Sequence, residues 1–201
     1  MLGRNLHDAR ALTQQIQRQK KYAFDLEKDI TWETRIDANR FLVPLDDGAI
    51  LFPTASQEQR LAISQMFGLV INATVAEMEA VMDRLRDLAL ERHLRRYPVN
   101  PEMRELGELF FAEEAKHAKV FFRYIDRFCE DLGIDRDTMN TLLPKTFDSH
   151  FLTALLKNAR DGGQAFWWTV AVVEEVSLQF YRQLLPHREQ TEPLFFEIHH
   201  L

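Results

Sequence analysis

The chain has 201 residues, of which 46% are apolar and 28% charged, and its net charge is -6. These values are ordinary for a globular protein, and they exclude a disordered or fibrous chain. The modest negative charge argues against nucleic acid as a ligand. A single cysteine, Cys129, excludes an internal disulfide, and neither a secretory signal nor a run of about eighteen apolar residues is present, so we expect a cytoplasmic protein without membrane spans.

The first part of the chain gives a mixed pattern. Residues 1–28 are polar and compatible with a helix, whereas residues 29–55 combine turn-forming residues with short apolar groups and predict an irregular arm. Ser56 and Gln59 have the spacing of a capping box, and apolar residues then recur at helical intervals to about residue 91. This pattern predicts a first long helix.

A second long helix is predicted to begin at Pro101 and to end near residue 131, before Gly133. The connection between the two long helices is short, so we expect them to pack antiparallel. A shorter apolar segment covers about 146–160 and is stopped by the turn-forming residues at 161–163.

Another helix is predicted over about 164–185, and Thr191 with Pro193 can start a last one, of which "LFFEIHHL" is present. No segment shows the alternation of a β-strand. The sequence therefore predicts an all-α fold, a bundle of long antiparallel helices forming a single domain over residues 1–201, with 1–55 as an irregular N-terminal arm.

Polar side chains that point into the apolar stripes of these helices are candidates for a functional site, because successive helical residues are rotated by about 100°. In the first long helix this rotation predicts that Glu77 points inward. It places Glu79 on the solvated side, together with Asn72. The inward stripe is defined by apolar or small side chains, namely Ile63, Met66, Val70, Thr74, Val81 and Leu88.

The second long helix carries "FFAEEAKHAKVFF" at residues 110–122, in which Glu114 and His117 both fall within a stripe of phenylalanine, alanine and isoleucine. In the helix over 164–185, Glu174 is the better inward candidate, and its neighbour Glu175 lies about a quarter-turn away.

Three carboxylates and an imidazole in the middle of one bundle require a compensating positive charge, because an unpaired buried carboxylate is strongly disfavoured. Arg84 and Arg182 lie only near the edges of the stripes. A bound pair of divalent cations would supply that charge, and Glu-x-x-His puts an oxygen and a nitrogen ligand on one helix face. Interhelical salt bridges, or carboxyl groups protonated by burial, are the alternative interpretation.

The segments "SQEQRLAISQMFGLVINATVAEMEAVMDRL", "LGELFFAEEAKHAKVFFRYIDRF" and "WWTVAVVEEVSLQFYRQL" resemble the ferritin-like di-iron oxygenases, most closely the p-aminobenzoate N-oxygenase family, over about residues 30–201. The resemblance implies a ferritin-like helical bundle with two iron ions, manganese being the alternative metal. It places four residues on ligand positions, namely Glu77, Glu114, His117 and Glu174. Glu79 is the alternative to Glu77.

The same resemblance implies that the protein is an oxygenase whose partners are O2, a small organic substrate and an electron donor, and that it is a homodimer. The expected reaction is N-oxygenation of an aromatic amine or a hydroxylation. Two other functions stay open at this point. One is ferritin-like or rubrerythrin-like handling of iron or peroxide, and the other is a metal-free helical interaction protein.

The end of the sequence offers Glu197-x-x-His200 as a further ligand pair. In the resembling family a second Glu-x-x-His lies on the last helix, preceded by an additional histidine. The rise of about 1.5 Å per residue places Glu197 a turn or more short of the metal plane and His199 or His200 close to it. We therefore expect a continuation beyond Leu201 to carry the missing motif, with Glu197 and His200 themselves as the alternative.

Overall fold

The structure, a computed structural model, describes residues 9–45, 52–96, 101–143, 153, 154, 157 and 164–200. Over these residues the chain is all-α, as predicted, and no strand is present. The helices are α1 (Ala9–Tyr22), α2 (Gln57–Arg96), α3 (Pro101–Leu132), α4 (Arg136–Leu142), α5 (Gln164–Leu184) and α6 (Pro193–Ile198). A 3-10 turn over Leu185–His187 connects α5 and α6. The predicted segments at 146–160 and 161–163 lie almost entirely outside the described residues.

The predicted signals mark the ends of the two long helices. Ser56 N donates to Gln59 Oε1 at 2.9 Å, and Gln59 N donates to Ser56 Oγ at 3.2 Å, so the capping box before α2 is confirmed. α2 continues to Arg96, past its predicted end. At the end of α3, Gly133 adopts φ 67°, a conformation that favours glycine.

The two long helices α2 and α3 form the most extensive helix pair of the described structure. Leu90 lies against Gly107, where an added Cβ would be 2.6 Å from Leu90 Cδ2. Farther along, His117 of α3 approaches Glu79 of α2. Residue numbers fall on one helix as they rise on the other, so the predicted antiparallel packing is confirmed.

The buried face of α2 is not the predicted one. Large residues of the predicted stripe, such as Met66 and Val70, are only half-buried, and Thr74 is exposed. α2 is apolar around most of its circumference, and by length and composition alone Gln57–Glu91 is apolar enough to cross a membrane, as core helices of soluble proteins also are. The fully buried residues of α2 are of mixed size, from Ser64, Ala73 and Ala76 to Leu69, Val81 and Met82, and Val81 is the one member of the predicted stripe among them.

The irregular arm packs firmly on the long helices. Ser64 Oγ accepts hydrogen bonds from the backbone N–H groups of Leu42 and Val43, both at 3.0 Å, and donates to Val43 O at 2.6 Å. Gly68 leaves room for the arm, because a Cβ there would lie 2.4 Å from Leu42 Cβ. Trp32 is buried in the main core, so the arm contributes to that core rather than acting as a linker.

Helix α5 covers only part of the α2 and α3 pair. Phe166 and Val170 are buried in a second core with residues of both long helices, whereas Trp168, Val172 and Val176 on the opposite side are exposed. α6 begins with Pro193 at its first turn, as predicted, and Glu192 caps it by accepting from Phe195 N at 2.7 Å.

Candidate metal centre

Three side chains that could bind a metal lie together near the middle of the α2 and α3 pair. One ligand atom from each of Glu79, Glu114 and His117 can be chosen so that all lie within 4.8 Å of one another. His117 Nδ1 is 3.8 Å from Glu79 Oε1. Glu79 and Glu114 are 6% and 3% exposed, so neither carboxylate is solvated. Carboxylate oxygens and an imidazole nitrogen are suitable ligands for a divalent transition metal.

The two carboxylates are electrostatically unsatisfied. Burial, with the charges of Glu114 and Glu174, raises the pKa of Glu79 well above its usual value. Burial is the largest cause that raises the pKa of Glu114 to about 8, and the negative charges of Glu174 and Glu113 add to it. Within the described residues, Glu79 Oε2 and Glu114 Oε2 are buried without a hydrogen-bond partner. Such atoms require either protons or a cation.

The imidazole of His117 suits a metal better than a salt bridge. Burial lowers its pKa, an effect that exceeds the opposing influence of Glu113. A neutral ring has a lone pair on one nitrogen, as metal coordination requires. The side chain is 27% exposed, and the 3.8 Å separation from Glu79 is too long for a hydrogen bond.

The arm fixes the ring of His117 from outside. Phe24 stacks on the imidazole with ring centroids 5.2 Å apart and an angle of 3° between the ring planes. Lys116 Nζ donates to Phe24 O at 2.9 Å and to Glu113 Oε1 at 3.0 Å. Phe24 therefore restricts rotation of the ring, and Lys116 holds Phe24 in position.

Glu174 lies beside these three residues on α5. Its carboxylate is half-buried, and burial raises its pKa. Its charge contributes to the raised pKa values of both Glu79 and Glu114, and it lines the same cavity as Glu79 and His117. Glu175 is exposed and lies 3.5 Å from Arg182, so the predicted inward orientation of Glu174 in preference to Glu175 is confirmed.

The cavity beside the cluster has a volume of about 380 Å³. It is bounded by α2, α3, α5 and α6, and apolar side chains such as Val75 and Phe121 form much of its lining. His199 and His200 lie at the α6 side. A mainly apolar cavity with a few polar groups at one end is the usual form of a small-molecule site.

Three predicted ligands are not brought into the cluster. Glu77 is half-buried and outside the group, and Glu79, predicted to be solvated, occupies the inward position. Glu197 accepts hydrogen bonds from Thr31 N and Thr31 Oγ1, both at 2.9 Å, so both of its oxygens are used to hold the arm. His200 is exposed and in contact with the ring of Tyr181.

The error at Glu77 has a physical cause. Apolar residues lie around most of the circumference of α2, so its apolar stripe does not mark a single buried face, and the face that is buried includes Asn72 and Glu79. The seven-residue separation of Asn72 and Glu79, two helical turns, was the available signal. The stacking of Phe24 on His117 joins distant parts of the chain and leaves no local signal.

Comparison of the chain with protein-family models, with curated proteins and with solved structures found no match.

Proposed function

We propose that this protein is a metal-dependent oxygenase, in which two iron ions are held by Glu79, Glu114, His117 and Glu174 and a small organic substrate is oxidised in the adjoining cavity. The observation that carries the proposal is the buried pair Glu79 and Glu114. Each has an oxygen without a hydrogen-bond partner in the described structure, and no Lys or Arg among the described residues forms an ion pair with either one.

The donor set fits iron or manganese. Three carboxylates and one neutral imidazole form a mixed oxygen and nitrogen set of the kind that binds these metals. Glu79, Glu114 and His117 would hold the first ion, and Glu174 would add a ligand for the second. When bound, iron would supply Lewis acidity and electrons for the reduction of O2, with a separate electron donor completing the cycle.

The chain's own residues have definite roles in this scheme. The two buried carboxylates bind metal in place of protons, and Phe24 keeps the ring of His117 oriented. The apolar side chains of the cavity limit access of water to the centre, as Phe121 does beside His117. The presence of this cavity favours oxidation of a substrate over storage of iron, which needs no organic binding site.

The test is anaerobic reconstitution with Fe(II), followed by measurement of bound iron per chain. We expect the wild-type protein to bind between one and two iron ions per chain. Glu114→Ala and His117→Ala should each lose most of this bound iron. Glu108→Ala is the matched control, because Glu108 is exposed on the same helix. Wild-type protein that retains less than about one iron or manganese ion per chain would favour a metal-free helical protein with protonated carboxyls.

A further inference from the structure

The cavity beside the metal centre has one polar and one apolar part. Glu79, His117 and Glu174 form the polar part, whereas residues such as Phe121 and Phe180 surround the remainder. Its volume of about 380 Å³ corresponds to about a dozen water molecules. A molecule with one or two rings fits this space.

The described side chains that line the cavity offer no positive charge to an anion. None of the described side chains that line it is Lys or Arg, and its acidic groups, Glu79 and Glu174, lie in the polar part where the metal is proposed to bind. An anionic substituent buried in the apolar part, away from the proposed metal ions, would find no counter-charge among these side chains. p-Aminobenzoate, which gives its name to the resembling family, carries such a substituent, so the lining favours a different kind of molecule.

His199 provides a defined hydrogen-bonding group in the apolar part. Its Nε2 lies 2.8 Å from Oδ1 of the fully buried Asn72. The ring packs between Phe121, Phe180 and Phe195, with centroid distances of 5.1, 5.1 and 4.5 Å.

The hydrogen bond to Asn72 fixes the tautomer of His199. Because Asn72 Oδ1 is an acceptor, the proton of a neutral ring lies on Nε2, and Nδ1 keeps its lone pair. Burial lowers the pKa of His199 to about 3, so the ring is neutral at physiological pH. Within the described residues His199 makes no hydrogen bond other than that with Asn72. Nδ1 therefore remains available as an acceptor.

We infer that this cavity binds uncharged, mainly apolar organic molecules that carry one hydrogen-bond donor, and that His199 selects the donor through Nδ1. This inference rests on the proposed function in taking the cavity as the substrate site. His199 thus acts as a specificity-determining residue, and no role as a metal ligand is assigned to it.

Three probes of similar shape test the inference, namely 2-naphthylmethanol, 2-methylnaphthalene and naphthalene-2-sulfonate. The first has a donor, the second has none, and the third is an anion that coordinates metals weakly. Binding is measured by calorimetry in Mn(II)-saturated and in metal-free protein. We expect the alcohol to bind about 3- to 10-fold more tightly than the hydrocarbon, as one hydrogen bond allows, and the sulfonate to show no saturable binding.

The matched variants are His199→Phe and His200→Phe. The first retains a ring in the aromatic contacts but removes the acceptor, so the hydrocarbon should then bind more tightly than the alcohol. His200→Phe, at the exposed neighbour, should keep the wild-type order. If His199→Phe does not fold after losing its bond to Asn72, the three probes with wild-type protein still test the preference for a donor, and equal binding of the alcohol and the hydrocarbon overturns the inference.

Metal content measured on the same samples separates the two proposals. Protein that binds Mn(II) but prefers the sulfonate, or does not distinguish alcohol from hydrocarbon, overturns this inference and leaves the metal centre intact. An order of probes unchanged by His199→Phe also overturns it. Protein that distinguishes the probes but binds no metal supports the specificity and overturns the oxygenase proposal.

Discussion

Replacement of Glu114 by glutamine should stabilise the metal-free protein at pH 8. The same replacement should abolish the additional stability that bound metal gives to the wild-type protein. The pKa of Glu114 is raised from 4.5 to about 8 by burial and by nearby carboxylates. At about 1.4 kcal/mol per pKa unit, holding this carboxylate ionised in the fold costs about 5 kcal/mol. A buried amide without partners costs about 1–3 kcal/mol, so the expected net gain in the free energy of unfolding is about 2 kcal/mol or more.

The sign of the pH dependence follows from the same shift. Between about pH 4.5 and 8 the folded metal-free protein binds a proton at Glu114 that the unfolded chain has lost. The free energy of unfolding therefore falls as pH rises through this window, and it is insensitive to this group below the unfolded pKa. In Glu114→Gln the decline should be smaller, with the remainder belonging to Glu79 and Glu174 because the three carboxyls titrate together.

The assay is urea denaturation at pH 5, 6.5 and 8, with EDTA and with excess Mn(II). At a concentration of 100 times the dissociation constant, metal should add about 2.7 kcal/mol to the wild-type protein and almost nothing to Glu114→Gln. Glu108→Gln, an exposed change on the same helix, should remain within about 0.5 kcal/mol of wild type. A wild-type stability that does not decline from pH 5 to pH 8 in EDTA would refute the reasoning.

Three other changes probe separate contacts. Glu79→Ala should abolish metal occupancy whereas Glu77→Ala should retain it, and atomic absorption on purified protein checks this; the opposite pattern would restore the prediction made from sequence. Phe24→Leu should weaken Mn(II) affinity about tenfold by freeing the stacked imidazole, with unchanged thermal stability showing that the fold is intact. Gly68→Ala should lower the free energy of unfolding by about 1–3 kcal/mol, because its Cβ meets Leu42 Cβ; denaturation midpoints equal to wild type would contradict this.

Much of the fold was predictable because helix boundaries depend on local chemistry. The capping box at Ser56, the proline at position 101 and the glycine at position 133 act within one helical turn, and all are found where the sequence placed them. α4 was missed, although Asp135 caps it by accepting from Thr138 N at 2.8 Å, because it is only seven residues long. Short helices depend on tertiary packing more than on sequence pattern.

The two long helices show when hydrophobic periodicity is sufficient to predict which face of a helix is buried. In α3 the buried side is marked by large residues such as Phe111 and Phe128, so Glu114 was correctly predicted to point inward. In α2 apolar residues surround most of the helix, and the face that is buried is one choice among several apolar ones. Hydrophobicity alone gives no information about that choice, which is why Glu77 was preferred to Glu79.

The N-terminal arm belongs to the candidate site, although its sequence indicates only an irregular connection. Phe24 covers the ring of His117, Thr31 occupies both oxygens of Glu197, and Leu42 fits against the glycine of α2. The hydrogen bonds to Thr31 keep Glu197 out of the cluster of Glu79, Glu114 and His117, and the stacking of Phe24 covers one face of the His117 ring. The composition of the candidate site is thus determined partly by residues of the arm that lie outside the carboxylate and histidine cluster.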